Sequence, residues 1–251
     1  MALFAIYVRR YLRRHFAAVR LQRAGPGRSL ARHHEPTIVV VNHPSWWDPL
    51  TGLAIGRHLF PRCAHFAPID ARALARYPFL ERLGLFGVEP GPFPGAARFL
   101  QSAVAIAETS GAVLWVTAQG TFRDVRERPL VLETGAAHVA RRVGRGRFLP
   151  LALEYTFWDQ RLPEALACVG DPIPFASLAL DRPRKVTEVL AARLEETLDR
   201  LADAAQSRDA TRFETILAGR TGVGGVYDAW RRARALLAGR RFEPAHQVST
   251  S

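Results

Sequence analysis

The amino-acid sequence predicts an α/β protein with a largely parallel central sheet flanked by helices. From residue 37 onward, short apolar runs alternate with segments of helical periodicity, which is typical of strand–helix–strand units. The apolar runs are continuous rather than alternating, as expected of strands that are buried on both faces. At 251 residues and 48% hydrophobic content, the chain is long enough to bury one large core.

Six apolar runs are predicted as strands, and helical patterns separate most of them. The predicted strands are residues 37–41, 62–67, 85–88, 112–117, 148–156 and 165–170. The predicted helices are residues 49–59, 70–83, 94–108 and 133–143, followed by a longer helix over 184–206. The sequence contains neither a GxxxxGK[ST] nor a GxGxxG loop, so no motif supports nucleotide binding.

The N-terminal residues 2–23 are predicted to form one amphipathic helix, which ends at the GPGRS segment over 25–29. Arginines fill most positions between its apolar residues, a pattern typical of a helix that lies in a membrane interface. The alternative is a helix packed on its own domain with its arginines in solvent. The apolar residues at helical spacing are Phe4, Tyr7, Val8, Tyr11, Leu12, Phe16 and Val19.

We therefore expect three regions along the chain. Residues 1–29 form a basic membrane-interface segment, residues 30–180 form the α/β core, and residues 181–251 form a helical C-terminal extension with a last basic helix over 227–239. No apolar run approaches the ~20 residues of a spanning helix, and the N-terminus lacks the order of a signal peptide. The expected location is cytoplasmic, peripheral on the inner face of the cell membrane.

The formal charge of +12 and a pI of about 11.1 predict an anionic partner, either nucleic acid or an anionic membrane surface. Lys185 is the only lysine among 35 basic residues, so part of this charge can reflect an arginine-rich composition rather than a binding function. A basic nucleic-acid-binding α/β domain remains an alternative. We expect no nucleic acid as partner, because no recognisable module is present and the basic clusters lie in the terminal helices.

Two pairs in the sequence have the spacing His-x-x-x-x-Asp, namely His43 with Asp48 and His65 with Asp70. His43 follows the predicted strand 37–41, at the sheet edge where open α/β folds bind ligands, and Asp48 precedes Pro49 as the predicted helix cap. His65 lies inside a predicted strand, and Asp70 is better explained as the cap of the following helix. The sequence therefore favours His43 and Asp48 as the working pair and His65 as a structural histidine.

Four segments in order resemble the motifs of the glycerolipid acyltransferase family, of the 1-acylglycerol-3-phosphate acyltransferase type. The segment NHPSWWD (42–48) matches its Asn-His-x-x-x-x-Asp motif, and AQGTFRD (118–124) follows a strand as its Pro-Glu-Gly-Thr-Arg motif does. LETGAAHVA (132–140) is similar to its Lys-x-Gly helix, and FLPLALEY (148–155) is similar to its fourth motif. The resemblance spans roughly residues 35–175, which makes it far more specific than the first motif alone.

The resemblance implies transfer of a fatty acyl group from an acyl thioester to a lipid hydroxyl, with membrane lipids as both surface and acceptor. His43 is implied as general base and Asp48 as the group that orients it, while backbone N–H groups hold the oxyanion. The implied substrate-binding residues are Gln119, Gly120, Thr121 and Arg123. The implied co-substrate is acyl-CoA or an acyl-carrier protein, and neither a metal nor another cofactor is expected. Oligomeric state is not predicted.

The sequence also departs from the family pattern. Gln119 stands where the family has Glu, Phe122 stands where it has Arg, and Arg123 follows one place later. The second motif, GLFGVEP, ends in Glu89 and Pro90 where the family has an arginine for the acceptor phosphate. We therefore expect an uncharged acceptor, such as a glycolipid sugar or a neutral lipid alcohol. A non-catalytic membrane-associated scaffold is a further alternative, against which the intact first motif argues.

Overall fold

The computed structural model describes residues 2–23, 35–89, 94–220 and 234. The helices are α1 Ala2–His15, α2 Asp48–Leu59, α3 Ala71–Arg76, α4 Pro94–Glu108, α5 Gly135–Val143 and α6 Pro183–Gln206. The strands are β1 Ala18–Gln22, β2 Thr37–Val41, β3 Ala64–Asp70, β4 Leu85–Val88, β5 Ala112–Thr117, β6 Arg147–Thr156, β7 Glu164–Val169, β8 Ile173–Pro174 and β9 Phe213–Ala218.

The described strands form one sheet in the order β4-β3-β5-β2-β6-β7-β1-β9, with β8 paired to β6. Neighbours from β4 to β6 run parallel, as do β7 and β1, whereas β6–β7 and β1–β9 are antiparallel. The predicted α/β fold with a largely parallel sheet is confirmed. β2 is the fourth of the eight strands in this order, so the loop that follows it opens near the middle of the sheet edge.

The single helix predicted over residues 2–23 is wrong in its second half. α1 ends at His15, and residues 18–22 form β1, which pairs with β7 on one side and β9 on the other. Phe16 and Val19 fit a helical stripe in the sequence, but both are buried in the core beside the sheet. Strand pairing with residues far along the chain overrides the local periodicity here.

Both of the predicted regions that flank the α/β core contribute a strand to the central sheet. β1 lies within residues 1–29 and β9 within residues 181–251, and the two strands pair with each other at the edge next to β7. The C-terminal extension is therefore not entirely helical in its described part. The predicted last helix over 227–239 and the break at 25–29 lie outside the described residues, apart from Arg234.

The predicted helix over residues 70–83 is interrupted. α3 ends at Arg76, and a 3-10 helix runs over Pro78–Leu83, because Pro78 removes a backbone donor and disfavours helical backbone at Tyr77. Asp70 caps α3 as predicted, with its carboxylate accepting a hydrogen bond from the N–H of Arg72 at 2.7 Å. β3 reaches Asp70, three residues beyond its predicted end.

Helices cover both faces of the sheet. On one face, α4, α5 and α6 bury an apolar layer that includes Leu194 and Leu198, and on the other face α1 and α2 bury a second layer that includes Leu12 and Ile55. Along α6, Val186, Leu190, Leu194, Leu198 and Leu201 are buried, whereas Val189 is exposed. Among the described helices, none is long and apolar enough to span a bilayer.

Candidate active site

The loop between β2 and α2 holds His43 and Asp48 at the carboxyl edge of the sheet. Their side chains are in contact: His43 Nδ1 lies 2.6 Å from Asp48 Oδ2. The Asp48 side chain is 3% exposed and that of His43 is 20% exposed. A buried acceptor next to Nδ1 means that Nδ1 carries the proton, which leaves Nε2 as the ring nitrogen with a free lone pair. Within the described residues, Nε2 makes no hydrogen bond.

Asp48 does not cap α2 as predicted. Trp47 occupies the N-cap position, Asp48 is the first helical residue, and the carboxylate faces back toward the loop. There its Oδ2 accepts a hydrogen bond from the backbone N–H of Ser45 at 3.2 Å in addition to the contact with His43. The carboxylate therefore organises the loop before the helix rather than the first turn of the helix.

Asn42, the first residue of the motif, fastens the loop to β6. Its side chain donates a hydrogen bond to the carbonyl of Leu153 at 2.9 Å and accepts one from the N–H of Leu153 at 2.8 Å. Asn42 is 2% exposed, so both bonds are sheltered from water. The Asn42 amide takes the place of a neighbouring strand at this point. The backbone N–H and C=O of Leu153 therefore keep hydrogen-bond partners although β2 has already ended.

The segment that follows β5 lies against His43. The Gln119 side-chain oxygen accepts a hydrogen bond from the N–H of His43 at 2.8 Å, and the N–H of Arg123 donates to the His43 carbonyl at 3.0 Å. The Phe122 ring lies 4.3 Å from the His43 imidazole, centroid to centroid, at an interplanar angle of 40°. The turn requires Gly120, whose φ of 69° is in the left-handed region.

The four residues implied in substrate binding occupy different environments. Gln119 is buried, and its amide oxygen is already used by the His43 backbone. Thr121 is exposed next to Gly120 in the same turn. The Arg123 guanidinium points to Glu127, with Nη1 3.1 Å from Oε1, so only the Arg123 backbone contacts the His43 residue.

His65 occupies a structural position. Its Nδ1 accepts a hydrogen bond from Trp115 Nε1 at 3.1 Å, whereas Asp70 bonds the backbone of Arg72. Burial lowers the pKa of His65 from 6.5 to about 4, so the ring is neutral at neutral pH. The interpretation of His65 as a structural histidine agrees with these contacts.

Tyr155 on β6 is a site residue that the sequence analysis did not identify. Its hydroxyl donates a hydrogen bond to Asp48 Oδ1 at 2.8 Å, which gives the second carboxylate oxygen a partner of its own. No spacing rule places residue 155 next to residue 48. The available signal was its place at the end of the segment FLPLALEY (148–155), which is similar to the family's fourth motif.

An aromatic belt leads from α1 to the loop between β2 and α2. It consists of rings in successive contact, and Tyr7, Trp46 and Phe79 are each at least half exposed. Successive centroids lie 5.5 to 6.4 Å apart. Because Trp46 and Trp47 belong to the loop that holds His43 and Asp48, the belt ends at the site. Its members are Phe79, Phe4, Tyr7, Tyr11, Trp47 and Trp46.

Comparison with known proteins finds a likeness in structure only. No protein-family model matches the chain, and no curated protein matches it in sequence. Among solved structures, the chain is similar to the 1-acyl-sn-glycerophosphate (LPA) acyltransferase PlsC from Thermotoga maritima. The match covers 82% of this chain and 78% of that chain, with a TM-score of 0.53 and 16% sequence identity. This chain therefore has the fold of that acyltransferase, which confirms at the level of fold the resemblance drawn from its four motifs.

Proposed function

We propose that this protein is an O-acyltransferase that moves a fatty acyl group from an acyl thioester to a lipid hydroxyl. The observation that carries the proposal is the contact between His43 and a buried Asp48 at the carboxyl edge of the parallel sheet. This is the edge at which open α/β folds bind their ligands. The fold shared with an LPA acyltransferase supports the same reaction class.

In the proposed mechanism, His43 Nε2 accepts the proton of the acceptor hydroxyl as its oxygen attacks the thioester carbonyl carbon. Asp48 holds the Nδ1–H and stabilises the imidazolium that forms. Collapse of the tetrahedral intermediate breaks the C–S bond, and the imidazolium returns its proton to the leaving thiolate. The products are an ester and a free thiol, so the protein ends each cycle unchanged.

The oxyanion of the tetrahedral intermediate needs N–H donors next to His43. We assign this role to the N–H groups of Thr121 and Phe122, since the neighbouring N–H groups of Gly120 and Arg123 are already bonded to the carbonyls of Thr117 and His43. Within the described residues, the N–H groups of Thr121 and Phe122 have no acceptor. They belong to the segment whose Gln119 holds the His43 backbone.

Membrane lipids are the proposed surface as well as the source of the acceptor. The aromatic belt presents amphipathic rings beside the site, and α1 carries the exposed Arg9, Arg10, Arg13 and Arg14. Exposed aromatic rings flanked by arginines bind the interface of an anionic bilayer. We place the protein on the inner face of the cell membrane, where an acceptor can reach His43 along the belt and an acyl thioester can arrive from the cytoplasm.

We propose an uncharged acceptor hydroxyl. Phe122, in place of the arginine of the family motif, puts an aromatic ring 4.3 Å from the His43 imidazole. Four neighbouring arginines could bind a phosphate in place of the missing one, but each is already paired with a carboxylate. Pro90 of the second motif lies outside the described residues. These pairs are Arg98 with Glu89, Arg123 with Glu127, Arg126 with Asp124 and Arg128 with Asp199.

The reaction class is tested by incubating the purified protein with radiolabelled acyl-CoA, or with labelled acyl-carrier protein, and a total lipid extract. We expect a new labelled ester and one free thiol for each ester formed. Release of labelled fatty acid without an ester would identify a hydrolase. No turnover of either thioester would contradict the proposal.

The acceptor class is tested by competition between lysophosphatidate and a neutral lipid alcohol of the same acyl chain, present together in mixed micelles. We expect the neutral acceptor to be esterified faster. Preference for lysophosphatidate would show that one of the paired arginines changes partner to bind the phosphate, and the inference from Phe122 would be wrong.

A further inference from the structure

β6 extends beyond its neighbour β2 at the site. Val41, the last residue of β2, pairs with Leu151, whereas β6 continues to Thr156. The additional residues run alongside the loop from Asn42 to Asp48. Two of them bind that loop: Leu153 through its backbone to Asn42, and Tyr155 through its hydroxyl to Asp48. The catalytic loop is therefore held at both ends by the same strand.

Tyr155 can act only as a donor in this contact. Burial, followed by the nearby Asp48 charge, raises the pKa of Tyr155 well above its usual range, so the hydroxyl keeps its proton at any working pH. The ring is fixed by packing, with the Phe16 ring 5.7 Å away. A rigid ring on a strand defines where the hydroxyl stands, and the strand in turn is fixed by its sheet neighbours.

The two oxygens of Asp48 have separate partners. Oδ2 accepts hydrogen bonds from the His43 ring and from the N–H of Ser45. Among the described residues, Oδ1 accepts a hydrogen bond only from the Tyr155 hydroxyl. Without a partner on Oδ1, the carboxylate could rotate about its Cβ–Cγ bond and leave Oδ2 misaligned with Nδ1. A hydrogen bond to an ionised group is about twice as strong as a neutral one, which is enough to select one orientation.

We propose that Tyr155 is a positioning residue of the acyl-transfer site, which holds the Asp48 carboxylate in the orientation that binds His43 Nδ1. This inference rests on the proposed function, in which Asp48 acts only through His43. Tyr155 touches neither acceptor nor thioester in this role, so its loss should lower turnover and leave substrate binding unchanged.

The variant Tyr155→Phe removes the hydroxyl and keeps the ring. We expect kcat to fall by roughly 5- to 50-fold, with KM for the thioester within about twofold of the wild-type value. In an Asp48→Asn background the same substitution should lower kcat by less than about twofold, because the group it positions is already lost. The matched control is Tyr77→Phe, which removes a hydroxyl from an exposed tyrosine outside the site, and it should retain wild-type kcat.

Two results would overturn the inference. One is an equal loss of kcat in the wild-type and Asp48→Asn backgrounds, which would indicate a general structural role. The other is a change in KM alone, which would place Tyr155 against the substrate. The melting temperature of each variant establishes that the fold is retained.

A spectroscopic measurement separates failure of this inference from failure of the proposed function. The His43 Nδ1–H proton in a short hydrogen bond to a carboxylate is observable by NMR in protein labelled with 15N-histidine. We expect Tyr155→Phe to shift or broaden this resonance and Tyr77→Phe to leave it unchanged, whether or not any thioester is turned over. An unchanged resonance in Tyr155→Phe would overturn the positioning role.

Discussion

The two faces of α1 are expected to have different roles, one in the stability of the fold and the other in membrane binding. Leu12 is fully buried against the layer that contains Ile55, whereas Ile6 and Tyr7 on the same helix are 48% and 56% exposed. The inner face should therefore contribute to the stability of the fold. The outer face should contribute to membrane binding and not to stability.

The cost of Leu12→Ala follows from its burial. The change removes three carbon atoms, worth about 2.4 kcal/mol in transfer at roughly 0.8 kcal/mol each. The cavity left behind raises the expected loss of unfolding free energy to about 3–4 kcal/mol. With an m-value of roughly 3 kcal/mol/M, the urea midpoint should fall by about 1 M. Ile6→Ser, on the exposed side, should change the unfolding free energy by less than about 0.5 kcal/mol.

Vesicle sedimentation completes the comparison. Ile6→Ser combined with Tyr7→Ser should weaken binding to anionic vesicles, and added salt should weaken wild-type binding because the α1 arginines contribute through their charge. Deleting residues 1–23 cannot replace these substitutions, because the deletion removes β1 from the sheet. A loss below 0.5 kcal/mol for Leu12→Ala would refute the packing of α1. Unchanged vesicle binding by the double variant would refute the membrane role of its outer face.

Three further predictions concern single residues. Because burial lowers the pKa of His65 to about 4 from 6.5, the unfolded chain binds more protons below pH 6.5. The free energy of unfolding should be highest above pH 6.5 and fall by about 2 kcal/mol from pH 7 to pH 5. In urea titrations, His65→Gln should largely remove this loss. Asn42→Ala leaves the backbone groups of Leu153 unpaired and should cost about 2–4 kcal/mol, so an unchanged urea midpoint would contradict the fastening role of Asn42. Phe122→Arg should raise the ratio of lysophosphatidate to neutral-alcohol use by about tenfold, whereas Phe122→Leu should not, and an equal ratio in both variants would contradict the role of this position.

Much of the parallel part of the fold could be predicted from sequence because its signals are local. The runs over 37–41, 85–88 and 112–117 match β2, β4 and β5 residue for residue. Each is a largely apolar segment preceded by a proline or a glycine, namely Pro36, Gly84 and Gly111. The contact between His43 and Asp48 was predictable for the same reason, since both residues lie in one short loop.

What could not be predicted depends on pairing between distant segments. β1 and β9 are separated by about 190 residues in sequence, and the apolar residues of β1 also fit a helical stripe. The contact between Tyr155 and Asp48 depends on the register that pairs Val41 of β2 with Leu151 of β6, which no local pattern specifies. The orientation of the Asp48 carboxylate likewise depends on the partners around it rather than on its place before Pro49.

We propose that His43 acts as the base in acyl transfer, and a comparison of variants at positions 43 and 65 tests this role. Transfer of a labelled acyl group from a thioester to lipid is measured for the wild type, His43→Ala and the matched control His65→Gln at pH 8. We predict that His43→Ala loses at least about a hundredfold in kcat while retaining its fold by circular dichroism, and that His65→Gln transfers at close to the wild-type rate. Near wild-type turnover by a folded His43→Ala variant would contradict the role of His43 as the base.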